Sequence, residues 1–180
     1  MKKKILVAIT ALSIVLCVAM GTTLAWLLDE TDSIENTFTY GNITIDLVET
    51  TGDIYEMVPG KDIEKDPKVI VEGGSEACWL FVKVEKSDNF DDFMNLPIDS
   101  EWTALTGVDG IYYLEVAKSD NDQEFDVIQD STLTVFDSIT KEDFSAVADD
   151  LPTLTFTAYA VQKDVATTAL GAWNDTFGAD

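Results

Sequence analysis

The chain contains no histidine and no arginine, and only two cysteines and four prolines. Each shortage closes off some chemistry. Without histidine there is no HExxH zinc site and no histidine-based catalytic triad. No G-x-S-x-G elbow and no phosphate loop occurs either. The chain is therefore not expected to be an enzyme, and no cofactor is expected. With 11 lysines against 34 acidic residues the formal net charge is −23. Such a surface repels nucleic acid and anionic lipid. It attracts cations, Ca²⁺ among them, or basic partners. One of the two cysteines, Cys17, lies in an N-terminal apolar run, so an internal disulfide scaffold is excluded. Internal repeats and low-complexity tracts are absent.

What is present begins with a leader. Lys2, Lys3 and Lys4 precede an uncharged, mostly apolar run of 16 residues, 5–20, closed by Gly21-Thr22-Thr23. Thr23 and Ala25 are small and stand two apart, as positions −3 and −1 of a signal-peptidase site do. Cleavage is expected between Ala25 and Trp26. At 16 residues the run lies between a signal-peptide core and a full span of about 20 residues, so an uncleaved anchor is the alternative; the small residues favour cleavage. Cys17 is preceded by Leu16 rather than a small residue, which argues against a lipoprotein. Removing 25 of the 180 residues leaves 155, enough for one domain with a sizeable core. It also takes the formal charge from −23 to −26, because three lysines leave with the leader. The expected division is a signal peptide over 1–25, a flexible arm over 26–37 and one domain over 38–180. The arm starts on three apolar residues, Trp26-Leu27-Leu28, and continues polar and acidic.

The rest reads as strands. Thr37 to Tyr40 is rich in strand formers. Ile43, Ile45 and Leu47 alternate with polar residues, as in a half-buried strand. Pro59-Gly60 is a turn and Lys65-Asp66-Pro67 an extended lead into a strand over 68–72. Residues 78–85 form the strongest strand pattern, with Cys78, Leu80, Val82 and Val84 on one face and Trp79 and Phe81 on the other. One end of it should be covered on both faces and the other solvated. Further strands are expected over 101–105, 111–118, 125–128, 132–136 and 153–162, the last with Leu154, Phe156, Ala158 and Ala160 inward. Short helices are expected over 89–95 and 141–149. A terminal helix is expected over 164–174, capped by Asp164, with Val165, Ala169, Ala172 and Trp173 on one face. Eight or nine short strands without a βαβ rhythm predict an all-β fold. The expected form is an antiparallel, jelly-roll-like β-sandwich with a few short helices, preceded by the signal-peptide helix.

Few residues suggest chemistry. Acidic pairs such as Asp91-Asp92 are what so acidic a chain contains at random. Asp120, Asp122 and Glu124 are candidate Ca²⁺ ligands, but they lack EF-hand spacing and the central glycine; a solvated turn is the plainer reading. Trp79, Trp102, Tyr112, Tyr113 and Trp173 are candidates for a sugar-binding platform, or simply core. Cys78, inside an apolar strand, reads as a buried, inert thiol.

The junction Gly21-Thr22-Thr23-Leu24-Ala25-Trp26-Leu27, the acidic arm and Asn36-Thr37-Phe38-Thr39-Tyr40-Gly41-Asn42-Ile43 together resemble the TasA/camelysin (CalY) family. Val58-Pro59-Gly60, Lys65-Asp66-Pro67 and the stretch from Glu72-Gly73-Gly74 to Val84 are similar to its SipW-dependent-type signal peptide proteins. Thr157-Ala158-Tyr159-Ala160-Val161-Gln162 resembles the family's last strand. Residues 88–150 carry no alignable likeness. The resemblance implies export through the signal peptidase SipW and a jelly-roll sandwich. It also implies a secreted structural subunit of extracellular biofilm-matrix or surface fibres. Polymerisation would proceed by donation of an N-terminal strand to another copy or to a matrix partner. Trp26, Leu27, Leu28, Ile34 and Phe38 fall in the matching donor segment. The family's reported metallopeptidase activity does not carry over to a chain without histidine. The alternative is a monomeric surface module binding glycan or Ca²⁺.

Overall fold

The computed structural model describes residues 38–40, 42–52, 55–147 and 150–178. The expected signal peptide and arm, including Thr23, Ala25, Trp26, Leu27, Leu28 and Ile34, lie outside the described residues. Every described element belongs to one compact unit, Thr37–Asp180. Among the described residues no helix is long and apolar enough to cross a membrane.

Among the described residues, eleven strands, three short α-helices and two 3-10 turns make up this unit. In order they are β1 (Phe38–Tyr40), β2 (Ile45–Val48), β3 (Asp62–Glu64), β4 (Lys68–Val71), β5 (Cys78–Lys86), α1 (Phe90–Phe93), β6 (Met94–Asn95) and β7 (Thr103–Ala104). There follow β8 (Ile111–Val116), β9 (Gln123–Asp126), β10 (Thr132–Val135), α2 (Lys141–Ala146), β11 (Leu154–Gln162) and α3 (Ala169–Thr176). A five-stranded sheet runs β1-β11-β5-β8-β7, and two three-stranded sheets run β3-β10-β6 and β2-β4-β9. The fold is thus all-β, with few and short helices. The strands of each sheet pair antiparallel except β1 with β11, which pair parallel. That one pair departs from the expected antiparallel pattern. No hairpin links β1 to its neighbour: the chain leaves β1 for β2 in another sheet and returns to β11 more than a hundred residues later.

β5 is the strand around which the rest is arranged. It pairs along its whole length with β11 and for six residues with β8. Its buried stretch is apolar on both faces because both faces are covered. Cys78, Leu80, Val82 and Val84 join Phe156, Ala158 and Ala160 of β11 in a core shared with the two smaller sheets. Trp79 and Phe81 lie in a second core on the opposite face, beneath α3. Toward its end β5 becomes solvated, where Lys83 pairs with Glu85 at 2.7 Å.

Local chemistry sets the ends. Thr140 caps α2 reciprocally with Asp143. Thr168 caps α3, accepting from the Gly171 N–H at 3.1 Å. The expected cap, Asp164, is not used. Lys163–Val165 instead form a single 3-10 turn, the chain is extended at Ala166, whose carbonyl accepts from the Trp79 indole at 3.0 Å, and the helix starts later than the pattern predicts. Val165 consequently falls outside the helix and is exposed. Gly110 has φ +71°, and a Cβ there would lie 2.7 Å from the Val84 carbonyl oxygen. Only glycine allows the turn into β8 to pass so close to β5.

Two strands escape the sequence pattern. β3 offers one apolar residue, Ile63, between two acids, and β6 has two residues. β9 begins at Gln123, inside the expected acidic turn, because Lys68 draws Glu124 to 2.9 Å and Asp126 to 3.6 Å across the sheet.

Candidate functional site

The site with most chemistry lies where β11 starts. β1 covers only residues 159–161 of β11, in the register Phe38↔Tyr159, Thr39↔Ala160, Tyr40↔Val161. Among the described residues nothing pairs with 154–158 on that side. Among the described residues that part of β11 is a backbone edge five residues long. Phe38, the last residue of the expected donor segment, stands in the chain's own sheet.

Beside this edge is an apolar groove of about 300 Å³. Its walls include Met57, Ile63, Met94, Leu133 and Leu154, with Leu151 at the mouth, 55 % exposed. Lys65 and Tyr55 also line it. Lys65 is buried, with only 8 % of its side chain exposed. Its Nζ lies 2.6 Å from Glu49 Oε1 and 3.4 Å from the Tyr55 hydroxyl. The Tyr55 ring lies 4.9 Å and the Phe156 ring 5.8 Å from the same ammonium, measured to their centres. Both are within cation–π range. Burial first, and then the hydrogen bond to Glu49, raise the Tyr55 hydroxyl above its ordinary pKa.

Glu49 is held in place from below. Asp66 accepts from the N–H groups of Thr50 and Thr51 at 2.9 and 3.0 Å and from both their hydroxyls. These bonds, the Thr50 hydroxyl foremost, hold its carboxyl well below the usual range. The depressed value means that the contribution of Asp66 is present above the ordinary aspartate pKa and fades as pH falls.

Sequence reading missed Lys65 as a buried group, although a signal was there. Ile63, Lys65, Pro67, Val69 and Val71 alternate, and all five are buried. A lysine in the inward register of such a row needs a carboxylate partner. That Glu49 supplies it depends on the fold.

The other candidates separate. Asp122 accepts from the Gly73 N–H at 2.8 Å, Glu124 pairs with Lys68, and Asp120 is exposed. Among the described residues no group of three or more Cys, Asp or Glu stands together as metal ligands. Trp79, Tyr113 and Trp173 belong to the core under α3, while Trp102 and Tyr112 belong to the other core. Trp102 donates its indole N–H to the Asp126 carbonyl at 2.8 Å. With the five rings divided between opposite faces of one sheet, they form no platform.

Cys78 is fully buried, and burial pushes its thiol up to about 12. At pH 8 this lowers the thiolate fraction roughly a thousandfold relative to an ordinary cysteine. In a Cys17→Ser chain, Ellman's reagent should react with Cys78 only after denaturant is added. Prompt reaction of the native protein would contradict the burial. Because the folded value is raised, the contribution of the neutral thiol to stability is complete below the unfolded cysteine pKa. It is lost as pH climbs toward 12.

Comparison with known protein families, curated proteins and solved structures finds no match to this chain.

Proposed function

We propose that the chain is an exported structural subunit that polymerises into extracellular fibres at the cell surface or in a biofilm matrix. A SipW-type signal peptidase frees it, and N-terminal strand donation joins the copies, as the TasA/camelysin likeness implies. A jelly-roll-like sandwich behind a cleaved signal helix belongs to the same reading. The partners are the peptidase, other copies of the chain or matrix proteins, and no catalytic step is involved.

One observation supports this above the others: among the described residues β1 holds β11 by only three register pairs, and five more residues of β11 have no partner on that side. An extended segment adding to a sheet edge gains backbone hydrogen bonds along its length. A three-residue strand is also easily exchanged for the same segment of a neighbour. Donation from one copy to the next is head-to-tail, and a head-to-tail contact that does not close gives an open filament. The strongly acidic surface opposes assembly at low salt, and added salt screens that repulsion within about 10 Å at 0.1 M.

Cleavage and assembly can be tested together. N-terminal sequencing of the exported form is expected to start at Trp26. Electron microscopy of the same material should show filaments that increase with salt. Deleting Trp26, Leu27 and Leu28 should abolish them while the circular dichroism spectrum is retained. A monomer at every concentration and salt, or surface protein that still carries Met1, rules the reading out.

A further inference from the structure

We propose that the groove at the start of β11 binds a small uncharged amphiphile. The ligand is an apolar chain ending in one hydrogen-bond acceptor, such as a medium-chain ketone or ester. This site is independent of fibre formation.

The walls define the body of the ligand. Met57, Ile63, Met94, Leu133 and Leu154 offer apolar surface, and a volume of about 300 Å³ is that of a small-molecule site. Lys65 defines the head. An ammonium has three N–H donors. Glu49 and the Tyr55 hydroxyl take two of them. A carbonyl oxygen on a ligand in the groove takes the third.

Charge decides between ligand classes. The Lys65–Glu49 pair is neutral as a whole, and the chain carries −23. A carboxylate would approach a compensated cation through a repulsive field. A cation would meet Lys65 itself. A sugar would leave most of its hydroxyls against methionine, leucine and isoleucine, without partners.

The test uses the full chain in lipid nanodiscs, photolabelled with a diazirine analogue of 2-nonanone and mapped by mass spectrometry. Label is expected on the peptides carrying Met57, Met94 and Leu151. Excess 2-nonanone should remove it, and the same concentration of nonanoate should not. Leu151→Trp narrows the mouth at an exposed position, so the fold is not at risk, and it should cut labelling about tenfold. Lys65→Met should reduce the preference for 2-nonanone over nonane as competitor about fivefold, the worth of one hydrogen bond. The proposal is overturned by label found only elsewhere, by labelling unchanged in Leu151→Trp, by equal protection from nonanoate, or by an unchanged preference in Lys65→Met.

Discussion

Phe81→Ala should destabilise the domain by about 3–5 kcal/mol, the usual cost of removing a buried phenyl ring from a packed core. Phe81 is fully buried at the centre of β5. It stands in register with Tyr159 of β11 on one side and Tyr113 of β8 on the other. Its ring centre is 5.2 Å from that of Trp173, which brings α3 onto the sheet. The second core is small, so little else can move in to fill the void. Against a total stability of about 5–15 kcal/mol, such a loss brings a domain of this size near its threshold. Urea denaturation should show the midpoint falling with an unchanged slope. Phe177→Ala, at the half-buried end of α3, should cost only about 1 kcal/mol. If the two variants cost the same, the helix does not rest on Phe81. The consequence reaches the candidate site, because β11 gets its whole-length partner from β5.

Glu49→Gln should destabilise by about 3 kcal/mol, the lower end of what breaking a buried ion pair costs. The reasoning turns on which charge is left behind. The Lys65 side chain is 8 % exposed, whereas Glu49 is 26 % exposed. Removing the carboxylate strands an ammonium that water cannot reach. Removing the ammonium with Lys65→Met leaves a carboxylate that is partly hydrated and still accepts from the Tyr55 hydroxyl. Lys65→Met should therefore cost much less. The double variant Glu49→Gln with Lys65→Met should be close to wild type, since an apolar replacement of such a pair is often neutral. Thermal unfolding of the four proteins at neutral pH measures the cycle. Equal costs for the two single variants would mean that Lys65 is hydrated after all, and the head-group half of the groove proposal would fall with it.

The pair also illustrates what sequence reading reaches. Lys65 lies on the inward face of an alternating row that local pattern alone reveals. Its partner is 16 residues back, on a loop that Asp66 pins through Thr50 and Thr51. Nothing in the spacing of Glu49 and Lys65 says that they meet. The acidic turn 119–124 shows the same limit from the other side. Its residues look alike in sequence, but strand pairing lifts Glu124 onto Lys68 and turns Asp122 toward Gly73. The candidate Ca²⁺ set was dispersed by register, which no local rule contains.

Sequence alone determined the elements with a strong local period. β5 and β11 stand where alternation places them, with Leu80, Val82, Phe156, Ala158 and Ala160 inward, because side-chain direction in a strand is a local property. It also determined that no site in this chain uses histidine or arginine, since a missing residue type needs no fold to be missing. Tertiary structure decided that β1 runs parallel to β11 and pairs with its last residues, and that an apolar groove with a paired lysine forms where β11 starts. Edges, registers and cavities are made by residues far apart in the chain, and their positions follow from which surfaces close against each other.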